Sequence, residues 1–274
     1  MDLLYYKINP TGNITLIVET PVPRESQAAV SAALMELDET AEQVGFIEKA
    51  DSPDAVLRLQ MMGGEFCGNA TVSAAALAKM LELPGTEGDT VTLEISGAEK
   101  PLSVTIKHNG ERDYSGTVSM PLPESCFTAR LRSEDFTCSL PVVRFSGISH
   151  VIVNSENIRK YNFNVRRAEG VIEGWCRQLG SDALGIMFWD EADGLLNPYV
   201  YVSGTETSVW ESSCASGSTA VAVYLAVTEG QSKSVSLLQP GGRLSVEVDS
   251  RHGIISDIRL SGNANITARY SVSI

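Results

Sequence analysis

Paired cysteines, clustered histidines, an excess of basic charge and long apolar runs are all missing from this 274-residue chain, and each absence argues against a class of function. The five cysteines stand at 67, 126, 138, 176 and 214, an odd count with no C-x-x-C pair. That pattern speaks against a disulfide framework and for reduced thiols. The three histidines, His108, His150 and His252, show no H-x-x-x-H or H-x-x-E-H spacing, so no metal site is expected. With 21 basic against 34 acidic residues the formal net charge is −13, the wrong sign for nucleic acid or an anionic membrane surface. No apolar run reaches the length of a membrane span, and the start Met1-Asp2-Leu3-Leu4-Tyr5-Tyr6-Lys7 lacks a basic region followed by an apolar one. A cytoplasmic protein is the expectation. No P-loop and no G-x-G-x-x-G following a strand is present.

What the chain does have is one thiol context used twice. Cys67 stands in Gly63-Gly64-Glu65-Phe66-Cys67-Gly68-Asn69-Ala70-Thr71, and Cys214 in Trp210-Glu211-Ser212-Ser213-Cys214-Ala215-Ser216-Gly217-Ser218-Thr219. Each follows a glutamate, precedes small residues and opens an alanine- and aliphatic-rich stretch, Ala70 to Leu81 and Thr219 to Val227, that reads as a helix. Unpaired amides and the positive dipole end at a helix N-terminus favour a thiolate, so both thiols are expected to have lowered pKa values. Cys126, Cys138 and Cys176 lack this context and read as core residues.

The surroundings repeat as well. Thr90 to Gly97 and Leu102 to Lys107 follow the first cysteine helix; Ser234 to Gly242 and Leu244 to Val248 follow the second. Gly97 comes 30 residues after Cys67, and Gly241 comes 27 after Cys214. Upstream, Thr11 to Val18 and Ser146 to Val153 each read as a turn into a strand, with Cys67 placed 54 residues after Asn13 and Cys214 placed 64 after His150. Gln27 to Glu42 and Ile158 to Gln178 are the expected extra helices, the second weakened by Gly170 and Gly174. Met120-Pro121-Leu122-Pro123-Glu124 is the expected boundary. The domains expected are 1–120, completed by about 263–274 and carrying Cys67, and 121–262, carrying Cys214. The fold class is α+β: two pseudo-symmetric domains, each a mostly antiparallel sheet around a central helix, with the active site in the cleft between them.

Two thiols suit one chemistry well. Inverting an amino-acid α-carbon needs a base on one face and an acid on the other, and a thiolate and a thiol exchange those roles in the reverse direction. Amides at the two helix N-termini would hold the substrate carboxylate. Small residues there, Gly68, Asn69, Ser216 and Gly217, let a ligand approach the backbone. No lysine sits in a setting that suggests a pyridoxal Schiff base, so no cofactor is expected. The bland readings stand beside these: Asn13 and Asn69 as turn formers, Glu65 and Glu211 as solvated turn residues, His150 as a packed strand residue.

At these residues the chain resembles the diaminopimelate epimerase superfamily, the cofactor-independent two-thiol racemases. The resemblance runs through Gly12-Asn13, Cys67-Gly68-Asn69, Gly147…His150, Cys214-x-Ser216-Gly217 and Pro240-Gly241-Gly242. It implies two pseudo-symmetric domains, Cys67 and Cys214 as acid and base, and Asn13, Gly68, Asn69, Ser216 and Gly217 around the substrate's amino and carboxylate groups. The chain departs from true diaminopimelate epimerases where Thr205-Glu206-Thr207 replaces a Glu-Arg pair and Met62-Gly63-Gly64-Glu65 replaces an Asp-Gly-Ser-Glu lead-in. It is similar to the histidine racemases of staphylopine-type metallophore synthesis in Asn9-Pro10-Thr11-Gly12-Asn13, Glu42 to Glu48, Glu65 to Thr71, Trp210 to Gly217 and Gln239-Pro240-Gly241-Gly242. That likeness implies interconversion of L- and D-histidine, supplying D-histidine to an opine-type metallophore. An imidazole calls for hydrogen-bonding partners, which Gln43, Glu48, Glu65, Glu206 and Glu211 offer; with His150, Gln43, Glu65 and Glu211 complete the candidate ligand set. The expected partner is a small amino acid, with no nucleic acid or membrane, and a homodimer is allowed. The alternatives are a racemase of proline or diaminopimelate, a phenazine-biosynthesis-type isomerase using a carboxylate, and a thiol redox sensor.

Overall fold

The computed structural model describes all residues 1–274. In chain order the first elements are β1 (Asp2–Asn9), β2 (Thr15–Val18), α1 (Arg24–Leu37), β3 (Gln43–Glu48), β4 (Arg58–Met61), α2 (Gly68–Met80), β5 (Thr90–Ile95), β6 (Leu102–Gly110) and β7 (Asp113–Ser119). Then come β8 (Ser125–Arg132), β9 (Thr137–Phe145), β10 (Ile148–Asn154), α3 (Ser155–Tyr161), α4 (Val165–Leu179), β11 (Ala183–Asp190), β12 (Leu195–Val202) and β13 (Thr207–Trp210). The chain ends with α5 (Ala215–Glu229), β14 (Gln231–Gln239), β15 (Gly242–Arg251) and β16 (Ile254–Ser273). It divides into two compact units, Met1–Ser119 with Leu260–Ile274, and Met120–Arg259.

In the first unit β1 to β7 are joined in sequence order, β7 meets the long β16, and β16 returns to β1, closing a ring of eight strands. Helix α2 packs against β2, β5, β6 and β7. Its residues Gly68 to Ala78 are all buried, as an all-round apolar helix requires. Small side chains make this fit work. At Gly116 of β7 an added Cβ would stand 2.6 Å from a Val72 methyl of α2. The second unit has the order β8-β9-β10-β11-β12-β14-β15-β16, with β13 on β12. Helix α5, buried on nearly every face, packs against β8 to β11, β14 and β15. Helix α4 is instead amphipathic. It lays Ala168, Val171, Ile172, Trp175 and Cys176 onto the aromatic cluster of Phe163 and Tyr199.

The repeat is visible in the connections. β2 and β3 run parallel with α1 between them, and β4 and β5 run parallel with α2 between them. In the second unit β10 and β11 are parallel across α3 and α4, and β12 and β14 are parallel across α5. Antiparallel pairs outnumber these, so the sheets are mixed. Two helix expectations are corrected. The segment Gln27–Glu42 is helical only to Leu37 and then turns into β3. The segment Ile158–Gln178 is two helices, broken where Asn162 takes a left-handed φ of 47°. Gly170 and Gly174 do not break α4.

Candidate active site

Cys67 and Cys214 are both N-cap residues, with extended backbone at φ −129° and −120°. The two caps match atom for atom. Cys67 Sγ accepts from the Ala70 amide at 3.4 Å, and Cys214 Sγ accepts from the Gly217 amide at 3.3 Å. One residue further on, the hydroxyls of Thr71 and Ser218 each donate to the cysteine carbonyl at 2.7 Å. A thiol in the N-cap position thus uses the orphan first-turn amides that serine or aspartate normally satisfies.

The glycine turns after each helix explain their fixed spacing. Gly97 has φ +73°, and a Cβ there would stand 2.4 Å from Phe66 N and 2.8 Å from Glu65 C. The turn is packed directly against the backbone that leads into Cys67. In the second unit the Gly241 amide donates to Ser212 O at 2.8 Å, again just before the cysteine. We expect Gly97→Ala to cost about 3 kcal/mol, from the positive φ and the backbone clash together. Denaturant unfolding of the variant checks this; a loss below about 0.5 kcal/mol would mean the turn is not a buttress.

The two glutamates before the cysteines do different work. Glu211 accepts a hydrogen bond from the Cys214 thiol. Burial pushes that thiol well above its ordinary value, and the Glu211 charge pushes it further, while the Ser216 hydroxyl and the Gly217 amide pull the other way. The expectation of a lowered pKa is therefore corrected at Cys214: one amide at a helix N-terminus does not outweigh complete burial beside a carboxylate. Glu65 instead folds back over its own loop. Its carboxylate is held by the amides of Glu65 and Gly63, and a Cβ on Gly63 would stand 2.5 Å from Glu65 Oε2. The Glu65 side chain reaches solvent, yet crowding by the surrounding protein raises its carboxyl above the usual range, with the two amides acting against that shift.

Glu211 is positioned by aromatic packing one residue earlier. The Trp210 ring stacks on Tyr199 at 4.6 Å and lies 5.7 Å from Phe188, and its indole N–H donates to Glu169 Oε1 at 3.3 Å. The Glu211 amide then donates to Pro198 O at 3.0 Å.

Asn13 and Gln43 come together in the first unit. Gln43 Nε2 donates to Asn13 Oδ1 and, at 2.9 Å, to Thr15 Oγ1, while Asn13 Nδ2 donates to Glu42 Oε2 at 2.5 Å. Because Gly45 pairs with Met61 and Met62 N donates to Val44 O, this network lies at the end of the sheet where β4 runs into the Cys67 loop. Glu42 was not among the carboxylates picked from the sequence; only its tertiary contact to Asn13 reveals it. Gly68 and Asn69 form the buried first turn of α2. Ser216 Oγ lies 3.5 Å from Cys214 Sγ. A Cβ at Gly217 would stand 2.2 Å from Met187 Sδ and 3.2 Å from Cys214 Sγ, so a larger residue there must displace the Met187 side chain.

Glu48 and Glu206 are placed elsewhere, and His150 is buried on the far side of Met187 from the Cys214 cap. Glu48 is held by Arg24 at 2.7 Å and by Gln27 at 3.0 Å, with Arg58 beside it, so its carboxylate is structural. Glu206 sits at φ 54° in the exposed turn between β12 and β13. His150, as placed, offers no surface to a ligand. It is fully buried beside Gly185, Met187 and Phe145, with no hydrogen-bond partner on either ring nitrogen.

Residues 2–272 match the family model described as the histidine racemase CntK N-terminal domain. The chain belongs to the histidine racemase family. A histidine racemase of Fusobacterium nucleatum subsp. nucleatum is 31% identical, over 98% of this chain and 97% of the relative. One of Staphylococcus aureus is 24% identical over 96% and 95%. Among solved structures, a Bacillus anthracis phenazine biosynthesis protein of the PhzF family superposes with a TM-score of 0.71 at 15% identity, covering 100% of both chains. A probable proline racemase from Agrobacterium radiobacter does so with a TM-score of 0.70 at 12% identity, covering 99% of this chain and 93% of that one. These two share the fold of this chain. The family match and the Fusobacterium relative make the chain an isomerase of the racemase/epimerase type.

Proposed function

We propose that the protein interconverts L- and D-histidine without a cofactor, Cys67 and Cys214 transferring the α-proton on opposite faces of one substrate. The observation that carries this reading is the duplicated thiol cap; membership of the histidine racemase family supplies the substrate. Burial and Glu211 keep Cys214 as the thiol, which suits it to deliver a proton. In the reverse direction Glu211 is placed to take the thiol proton as Cys214 becomes the base. First-turn amides of α2 and α5 would meet the substrate carboxylate and the charge that develops on deprotonation. The Asn13–Gln43–Glu42 network offers further polar groups for the substrate's amino group or imidazole. D-histidine made this way would feed an opine-type metallophore.

The reading is tested by loss of the α-proton signal of L-histidine in D2O, followed by NMR with reduced protein and no added pyridoxal phosphate. Washout accompanied by D-histidine is expected; folded, reduced protein that leaves the signal intact would reject histidine. Glu211→Gln removes the proton acceptor beside Cys214 and should lower kcat about 100-fold with KM little changed. Glu65→Gln should act chiefly on KM. Wild-type kinetics in both variants would remove the carboxylates from the mechanism.

A further inference from the structure

Gln239, the last residue of β14, is buried to 4% exposure and faces Gly242 across the β14–β15 pair. Its Oε1 accepts the Cys214 amide at 2.8 Å, and its Nε2 donates to Ser218 Oγ at 3.0 Å. Ser218 Oγ in turn donates to Cys214 O at 2.7 Å. The bonds form a closed ring that grips both backbone groups of the capping cysteine. A primary amide is suited to this job because it presents one acceptor and one donor about 2.3 Å apart on a rigid plane.

The amide itself is not repeated at the equivalent position of the other half. Thr71 repeats the Ser218 bond, but the residue two before Gly97, equivalent to Gln239 two before Gly241, is Ile95, which carries no polar side chain. The neighbouring Ser96 serves a different backbone: its hydroxyl donates to Glu65 O at 2.8 Å and accepts from Met61 N at 2.9 Å. The two half-sites therefore share a cap and differ in the side chain placed behind it.

We propose that Gln239 is a positioning residue for Cys214, holding the cap backbone so that the thiol stays against the Gly217 amide and within reach of Glu211. Both ends of the Gln239 amide are bonded to Cys214 and Ser218, so it acts through the cysteine. This inference builds on the two-thiol reading, but its test does not need racemase activity.

The test is the pH dependence of iodoacetamide alkylation at each cysteine, followed by peptide mass mapping, in wild type, Gln239→Leu and Ser218→Ala. Loosening the cap frees the thiol from burial and from Glu211, the two strongest influences that push it up, and this outweighs loss of the Gly217 amide. Cys214 alkylation is then expected to move down by about one pH unit, while Cys67 stays within about twofold of wild type. With histidine, kcat should fall about 10- to 100-fold with KM within about threefold. Gln239→Asn, which keeps an amide on a shorter stem, covers the case in which the leucine variant does not fold. An unchanged Cys214 profile in folded variants would overturn the proposal, as would an equal shift at both cysteines, which marks general loosening. A Cys214-specific shift in a protein inactive on histidine would uphold Gln239 and sink the substrate assignment instead.

Discussion

Replacing either Cys67 or Cys214 by serine is expected to reduce histidine racemisation by about a thousandfold, within the range lost when a positioned general acid or base is removed. Serine keeps the N-cap: its hydroxyl accepts from the Ala70 or Gly217 amide as sulfur does, so the helices should survive. What is lost is the thiol, which can give up and take back a proton where a serine hydroxyl cannot. The two variants should also differ from each other in an informative way. With Cys214 replaced, Cys67 can still remove and return a proton on its own face, so one enantiomer exchanges its α-proton with D2O slowly and without inversion. With Cys67 replaced, the other enantiomer should do so. Opposite enantiomer preferences in the two variants, read by NMR with chiral analysis, are the signature of two bases on opposite faces. Full activity in both variants would move the chemistry to a carboxylate and sink the two-thiol mechanism.

The parts of this site legible in sequence are those set by local pattern. An alanine-rich helix with no polar face has to be buried all round, so α2 and α5 could be read from composition, and the N-cap role of each cysteine follows from the small residues after it. The glycines at 97 and 241 were visible as a repeated spacing, although their purpose, packing a turn against the pre-cysteine backbone, was not. What sequence could not show depends on side chains meeting across elements. Glu48 looked as available as Glu65 until Arg24 of α1 and Arg58 of β4 were found beside it. Glu42 belongs to a string shared with histidine racemases, but its role beside Asn13 shows only in the tertiary contact. The helix N-terminus argument for a low thiol pKa used only local structure, and complete burial of Cys214 beside Glu211 reverses its sign. Gly170 and Gly174 seemed to weaken α4, yet a Cβ at either would meet nothing within 4 Å. They cost helix propensity alone, which the packing of Trp175 and its neighbours offsets.

Stability is expected to fall in mild acid through His150. Burial without a hydrogen-bond partner lowers its pKa from 6.5 to about 3, and no charged group contributes to that shift. The folded protein therefore resists protonation that the unfolded chain accepts. The contribution is fully present above pH 6.5 and is lost as pH falls from there toward 3. At pH 5 the loss amounts to about 2 kcal/mol, a large share of a typical domain's stability. Carboxylates held low by partners, such as Glu48 and Glu94, lose their contributions as pH falls through and below the ordinary carboxylate range, and Glu65, held high, is common to wild type and variant, so the difference between the two proteins from pH 6.5 to 5 isolates the histidine. His150→Leu is of similar size and leaves no polar nitrogen unpaired among Phe145, Gly185 and Met187. Urea unfolding at pH 7 and pH 5 should show wild type losing about 2 kcal/mol more than the variant across that interval. Equal losses would mean that the imidazole gains a proton or a water partner in the folded state. Met187 lies between His150 and Gly217, and because leucine fills the space of the imidazole against it, the same variant should leave the Cys214 cap in place and retain most of its kcat. A large rise in KM for histidine would instead return His150 to the substrate.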